Sequence, residues 1–437
     1  MTAIARSDKY LSVAAAGARS VARLAVGVAL VRIAGAEALG QYALLVAAEV
    51  VLQTAAACLA TAPLQTLGPR SRSDLLGYAA ARLALVLLPA ALLGAALVPA
   101  AERWGIPPLA AVGFGLSALL GSWAQLHQGW QRTRFRSGSV LTCELAVGAA
   151  SLLALAAPIG DPLTRLGWTL AAAHAASGAW LRRRAGPQRP RLAPAERREF
   201  RELGWAMFLG SLAYSATARV HPFLLGELAG LEAVALCAAA LGLSGPLRMA
   251  GGAIDGVLRP RLALLAGGDR ARRRRRVFAA AQGLKLAAAC AALAGALLAG
   301  EPLARALYGD ALPGLGMLLP LALGYAALET LGSGVVVALQ TGRGAAGARW
   351  ATRARVGAGA LLLALLPAAC REGAGAALAS LLGCELVFLG AAALGLTRLS
   401  NRAAPAPAGS RIARAHAPQP STAPRARWAP ALRKATA

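Results

Sequence analysis

Four arginines and three glutamates stand inside stretches that are otherwise apolar, and any chemistry in this chain must be built from them. Arg19 and Arg23 interrupt the first apolar run, four positions apart and therefore on one helical face. Arg219 falls in the run 203–225 and Arg248 in the run 232–256. A guanidinium presents a planar fork of donors that matches paired phosphate or carboxylate oxygens, so four of them facing a water-filled cleft would make an anion-binding cavity. The bland reading is that each one snorkels or pairs with a carboxylate. Glu49, Glu329 and Glu385 are candidates to carry a coupling proton or sodium ion, or to be the arginines' structural partners. A charge at bilayer mid-depth costs roughly 2.5–3.5 kcal/mol on insertion scales, so each of these residues needs a compensating role. Glu144 and Asp255 stand nearer the ends of their runs and read as interfacial. His127, His174 and His221 are scattered singly, and only His221 shares a neighbourhood with an intramembrane arginine.

No catalytic motif accompanies these charges. The sequence has no HExxH, GxSxG, Walker A lysine or DxD pair. Its six cysteines, Cys58, Cys143, Cys237, Cys290, Cys370 and Cys384, form no CxxC and read as small buried hydrophobes. The expectation is no catalytic residue, no cofactor and no metal, with transport driven by an ion gradient, the membrane potential or the substrate's own gradient.

The elements that must position the charges are membrane spans. The chain is 57% hydrophobic and only 15% charged, with a mean hydropathy of +0.55, and its apolar runs are long enough to cross roughly 30 Å of hydrocarbon as helix. Twelve spans are expected, at 10–32, 41–67, 75–100, 107–130, 138–158, 164–181, 203–225, 232–256, 277–299, 313–340, 356–370 and 376–397. The net charge of +27 sits on alternate loops, which argues against nucleic acid and for the positive-inside rule. Arg70, Arg72, Arg132, Arg134, Arg136, the 182–201 cluster, Arg259, Arg261, the run from Arg270 to Arg276, and Arg343, Arg349, Arg353 and Arg355 all fall on one side. The opposite loops hold only the basic Arg103, Arg165, Arg305 and Arg371, with the acidic Glu37, Glu102, Asp161, Glu227, Glu232, Glu301, Asp310 and Glu372, and the longest, near 300–312, leaves no room for an external domain. Both termini are therefore expected in the cytoplasm of an inner-membrane protein. The boundaries that follow are an N-terminal six-helix bundle at 1–181, a basic connector at 182–202, a C-terminal six-helix bundle at 203–397, and a tail at 398–437. That tail has eight basic residues, six prolines and no acid, so it reads as disordered and drawn to anionic lipids.

A repeat supports the division. Ile33-Ala34-Gly35-Ala36-Glu37-Ala38 leads from the first span to the second, and Leu228-Ala229-Gly230-Leu231-Glu232-Ala233 leads from the seventh to the eighth, at an offset of 195. Six spans on each side of the connector give two all-α bundles related by a pseudo-two-fold axis along the membrane normal.

The segment VALVRIAGAEALGQYALLVAA (28–48) resembles the opening of polysaccharide exporters, with Arg32, Gly35, Glu37, Gly40 and Tyr42 in the places of that family's turn. ATARVHPFLLGELAGLEAVALCAAALGL (216–243), VLRPRL (257–262) and ALYGDAL (306–312) continue the likeness through the second half. The chain thus resembles the Wzx-type oligosaccharide flippases of the multidrug/oligosaccharidyl-lipid/polysaccharide exporter superfamily. It departs from them at Ala218, where an acidic residue is frequent, and at Cys237, where an aromatic is expected. The resemblance implies a MATE-like fold and a lipid-linked oligosaccharide as partner, its diphosphate held by Arg19, Arg23, Arg219 and Arg248, in a protein that works as a monomer. The alternative is a drug/cation antiporter of the same fold, against which stand few aromatics and cationic mid-membrane charges. A membrane enzyme would require larger external loops than these.

Overall fold

The computed structural model describes residues 3–67, 75–134, 136–186, 192–265 and 271–401, which are helical with no strand among them. The loop arginines Arg70, Arg72, Arg189, Arg191 and Arg270 and the tail beyond Asn401 lie outside the described residues. Twelve α-helical elements follow in order: α1 (Ala3–Ala56), α2 (Ala62–Leu67), α3 (Leu75–Glu102), α4 (Pro108–Thr133), α5 (Ser137–Ala156), α6 (Pro162–Ala185), α7 (Pro194–Ala229), α8 (Leu231–Leu243), α9 (Gly245–Leu264), α10 (Ala271–Tyr308), α11 (Leu315–Arg371) and α12 (Ala374–Asn401). The chain divides into two compact units, Met1–Leu396 and Thr397–Ala437. Of the second, the described residues are the end of α12.

Elements and spans do not coincide one to one. Within α1, Gly35 adopts φ 86 and ψ −179, a region that only glycine enters without strain, and the helix folds back there, bringing Leu39 against Gly27. Between α1 and α2 lies a π-helical turn, Ala57–Thr61, just before Pro63, whose missing N–H interrupts the regular ladder. The long α11 also doubles back: Tyr325 and Arg355 line the same small pocket, whereas a straight helix would hold them about 45 Å apart. Its two spans are Leu315–Leu339 and Arg349–Arg371. Conversely, the expected single span 232–256 is broken, with α8 and α9 bent by 44° around Ser244. Among the described residues, seven helical stretches are long and apolar enough to cross a membrane, eight with the bent pair. With α1 counted twice, α3 included as an apolar helix whose described stretch Leu75–Leu88 is short, and the more polar α6 and α7 included, this is a twelve-span, all-α, multi-pass membrane protein.

Two further expectations are corrected. The stretch 300–312 is mostly helix, because α10 continues to Tyr308 and the turn occupies only the residues around Gly309 and Gly314, both at positive φ. Cys290 is exposed rather than buried, unlike the other five cysteines. It stands on the outward surface of α10, where a small apolar side chain is as well suited to lipid as to a core.

One apolar cluster joins first-half and second-half helices near the Gly35 turn. Val26, Leu30, Leu39 and Leu44 pack in it with Leu225, Val234, Leu312 and Leu319. Gly40 is required there, since a Cβ would come within 2.3 Å of the Leu231 carbonyl oxygen. At the arginine-rich ends the clusters are separate, one around Leu64, Leu76 and Phe200 and another around Leu258, Leu262 and Val337.

Candidate functional site

A cavity of about 690 Å³ lies where α1, α7, α8 and α9 converge. Arg23 from α1, Arg219 from α7 and Arg248 from α9 line it together, and no carboxylate is among its described lining residues. It extends along α1 to Ser12 and Val13, away from the apolar cluster at Gly35. Pro222, inside α7 and three residues past Arg219, also lines the cavity. Having no N–H, it leaves the carbonyl one turn earlier without its helical donor. Arg23 and Arg219 have no carboxylate partner among the described residues. Arg248 does have one: its Nε lies 3.1 Å from Glu329 Oε2, and its guanidinium stands 5.2 Å from the centre of the Tyr325 ring.

Arg19 does not line this cavity. It turns to α5, where its Nε donates to Glu144 Oε2 at 2.8 Å and its Nη2 donates to Glu144 Oε1, closing a two-point clasp. Gln128 completes the clasp, accepting from Arg19 Nη2 at 3.1 Å and donating to Glu144 Oε1 at 3.0 Å. Glu144, expected near the membrane interface, is buried within the protein and its charge is matched. Arg19 and Arg23 share a helical face, but only Arg23 reaches the cavity.

Behind Arg23, Tyr42 and Val46 lies a second chamber of about 70 Å³, lined also by Arg19, Glu49, Gln53, Gln125 and His174. Buried Glu49 accepts from Gln53 Nε2 at 2.8 Å and from Ser117 Oγ at 3.2 Å. Gln125 extends the network by donating to Gln53 Oε1 at 2.7 Å, and Ser117 stands 3.2 Å from His174 Nδ1. Glu49 has no cationic partner among the described residues. The other two coupling candidates do: Glu329 faces Arg248, and Glu385 is ion-paired with Arg355, whose guanidinium lies 3.6 Å over the Phe388 ring.

Sequence reading missed several of these contacts. Arg355 was expected among loop charges but is a buried partner of Glu385. Asp255, expected at an interface, accepts from the wholly buried Lys285 Nζ at 2.6 Å and from Ser333 Oγ at 2.5 Å, while Lys285 also donates to the Thr330 carbonyl at 2.7 Å. His221 is buried in the cavity wall with Nε2 3.6 Å from Cys237 Sγ. Among the described residues, no group of three or more acidic, histidine or cysteine side chains is arranged to hold a metal.

No protein-family model and no curated protein matches the sequence. Solved structures do match its fold. An inward-facing multidrug-resistance MATE transporter of the MOP superfamily superposes with a TM-score of 0.65 at 14% identity, covering 88% of this chain and 96% of the other. The lipid II flippase MurJ, in an inward closed conformation, gives 0.69 at 10% identity, covering 89% and 87%. An outward-facing MATE transporter of the same superfamily gives 0.62 at 11%, covering 90% and 94%. At these identities the likeness establishes the fold, that of MOP-superfamily transporters.

Proposed function

We propose that this protein is a flippase that carries an undecaprenyl-diphosphate-linked oligosaccharide from the cytoplasmic to the outer leaflet of the inner membrane, for assembly of a surface polysaccharide such as O-antigen, capsule or exopolysaccharide. The observation that carries the reading is the convergence of Arg23, Arg219 and Arg248 on one cavity with no carboxylate among its described lining residues. Such a wall suits an anionic headgroup and repels the cationic drugs that the alternative antiporter would carry. That one of the fold's solved relatives is described as a lipid II flippase is in keeping with it.

In this mechanism the diphosphate sits among the arginines, the glycan occupies the cavity, and the lipid tail stays in the bilayer. Alternating access arises from movement of the bundle 1–181 against the bundle 203–397. The termini and the 182–202 connector face the cytoplasm, with the 398–437 tail on anionic headgroups, so the cavity is loaded from inside while the apolar cluster at Gly35 closes the other end. An anion leaving an inside-negative cell gains about 2.3 kcal/mol per charge per 100 mV, so the membrane potential favours export. If an ion contributes, Glu49 is the seat we assign to it, since Glu329 and Glu385 are occupied by guanidiniums.

The test is reconstitution into liposomes holding a fluorescent short-chain polyprenyl-diphosphate sugar in the inner leaflet. Arrival of the sugar at the outer leaflet, measured by lectin or quencher access, is expected with wild type and lost with Arg23→Ala. Equal scrambling by both would refute the assignment.

A further inference from the structure

Arg248 is unlike the other two cavity arginines. Glu329 lies 3.1 Å away, yet off the line of a directed hydrogen bond from Nε, and Arg248 Nη2 is buried without a hydrogen-bond partner among the described residues. A buried guanidinium donor without an acceptor is costly, and a ligand oxygen would relieve that cost. The approach of Glu329 is also built in by packing. Between Arg248 and Asp255 on α9, Gly251 meets Thr330 of α11 so closely that a Cβ would come within 2.1 Å of its Cγ2. One turn further, Asp255, Lys285 and Ser333 fix the same two helices in register. The neighbour of Thr330 is thereby aimed at Arg248.

We propose that Glu329 is a specificity-determining residue: by offsetting Arg248 it holds the three-arginine cavity at two net positive charges, matched to a pyrophosphate diester. This rests on the headgroup reading above and adds what the site rejects. A sugar-bearing lipid pyrophosphate is a diester with two negative charges. The same carrier without its sugar is a monoester whose terminal phosphate ionises a second time near neutral pH, which adds a third charge. In a partly desolvated cavity that third charge finds no counter-charge, and an unmatched buried charge is penalised. Matching rather than excess also favours turnover, because a transport site must release what it binds. The remaining carboxylates do not upset the count. Glu144 is clasped by Arg19, Glu385 is paired with Arg355, and Glu49 opens into the side chamber, so none lines the cavity.

The experiment uses the full chain in nanodiscs of zwitterionic lipid at mildly alkaline pH, titrated with two probes by calorimetry. One probe is dibutyl pyrophosphate with an ester on each phosphorus, and the other is monobutyl pyrophosphate. In wild type the diester is expected to bind at least as well as the monoester. Glu329→Gln adds one effective positive charge and should shift the ratio about tenfold toward the monoester, the worth of one charge-assisted hydrogen bond. The double variant Glu329→Gln/Arg248→Gln again has two positive charges, from Arg23 and Arg219, and should return the ratio to wild type. A ratio unchanged by Glu329→Gln overturns the proposal while leaving the headgroup site standing. So does a double variant that keeps the monoester preference. A wild type that binds neither probe sinks the headgroup site itself.

Discussion

Gly35 and Gly230, 195 positions apart in the sequence, adopt the same backbone conformation, with φ 86 in both and ψ −179 and 172. Each stands at the exit of the first span of its half and each is followed by a short acidic turn, Glu37 in one and Glu232 in the other. The likeness of two short alanine-rich segments therefore extends to the torsion angles that make the chain reverse.

That conformation is essentially reserved for glycine, and a Cβ at either position would meet nothing within 4 Å. Substitution should therefore cost backbone strain alone. Gly35→Ala and Gly230→Ala are each expected to destabilise by about 1–3 kcal/mol, while Gly17→Ala, at a helical position with equally open space, should be neutral or slightly stabilising. Thermal unfolding in detergent, followed by tryptophan fluorescence, gives the comparison. Wild-type stability for both turn variants would mean that the turns are not fixed by these torsions.

Arg19 and Arg23 test the difference between an arginine that holds the fold and one that holds a ligand. Removing Arg19 leaves Glu144 buried and unmatched, a loss of about 3–5 kcal/mol, so Arg19→Ala should insert poorly and unfold early. Removing both partners, Arg19→Ala/Glu144→Ala, should recover most of that loss. Arg23→Ala should accumulate normally and fail in headgroup transfer, with Arg23→Lys rescuing only in part because it keeps the charge but loses the fork. Normal transfer by Arg23→Ala would move the site toward Arg219 and Arg248.

The twelve spans and the repeat were legible because they rest on hydropathy, loop charge and one short motif, all local along the chain. Arg23, Arg219 and Arg248 were legible as intramembrane charges, and the cavity brings them together. What the sequence did not reveal was which charges cancel. Arg19 finds Glu144 across 125 residues and Arg355 finds Glu385 across 30, and no periodicity encodes such a pairing. Lys285 shows the same limit: a lysine in an apolar run carries no mark of the aspartate on the neighbouring helix that neutralises it. The bend at Ser244 had a local mark, Ser244-Gly245-Pro246, but the apolar run 232–256 continues through it, so hydropathy alone reads one unbroken span.

Glu49 and Glu385 make a matched pair of carboxylates with different partners. Glu385→Gln removes the charge facing Arg355 and leaves that arginine buried without compensation, so abundance and thermal stability should fall, as for Arg19→Ala. Glu49→Gln can still accept from Gln53 and Ser117, so it should fold normally. If Glu49 seats the coupling ion, its variant should transport at a rate independent of an imposed proton or sodium gradient, while wild type responds to one of them. Gradient-dependent transport by Glu49→Gln would exclude the residue from coupling and move the ion to another carboxylate, and a wild type insensitive to both gradients would leave the membrane potential as the driving force.

The pair Lys285 and Asp255 is set deepest, with the lysine wholly enclosed and all its contacts within the second half. It does not line the cavity, so its contribution should be to stability and not to binding. Asp255→Ala leaves an ammonium in a low-dielectric interior with only the Thr330 carbonyl and the Ser333 hydroxyl, and should cost about 3–5 kcal/mol. Lys285→Met keeps the length of the side chain without its charge but strands the aspartate, with a similar loss. Combining Lys285→Met with Asp255→Ala removes both charges, and buried pairs replaced by apolar groups are frequently neutral or better. The double variant should thus unfold within a few degrees of wild type and keep its affinity for a pyrophosphate diester. Unfolding temperature and calorimetric titration on the same three variants decide it. A double variant that is stable yet has lost the diester would show that the pair shapes the cavity through α9, and Arg248 would then be set by Lys285 as much as by Glu329.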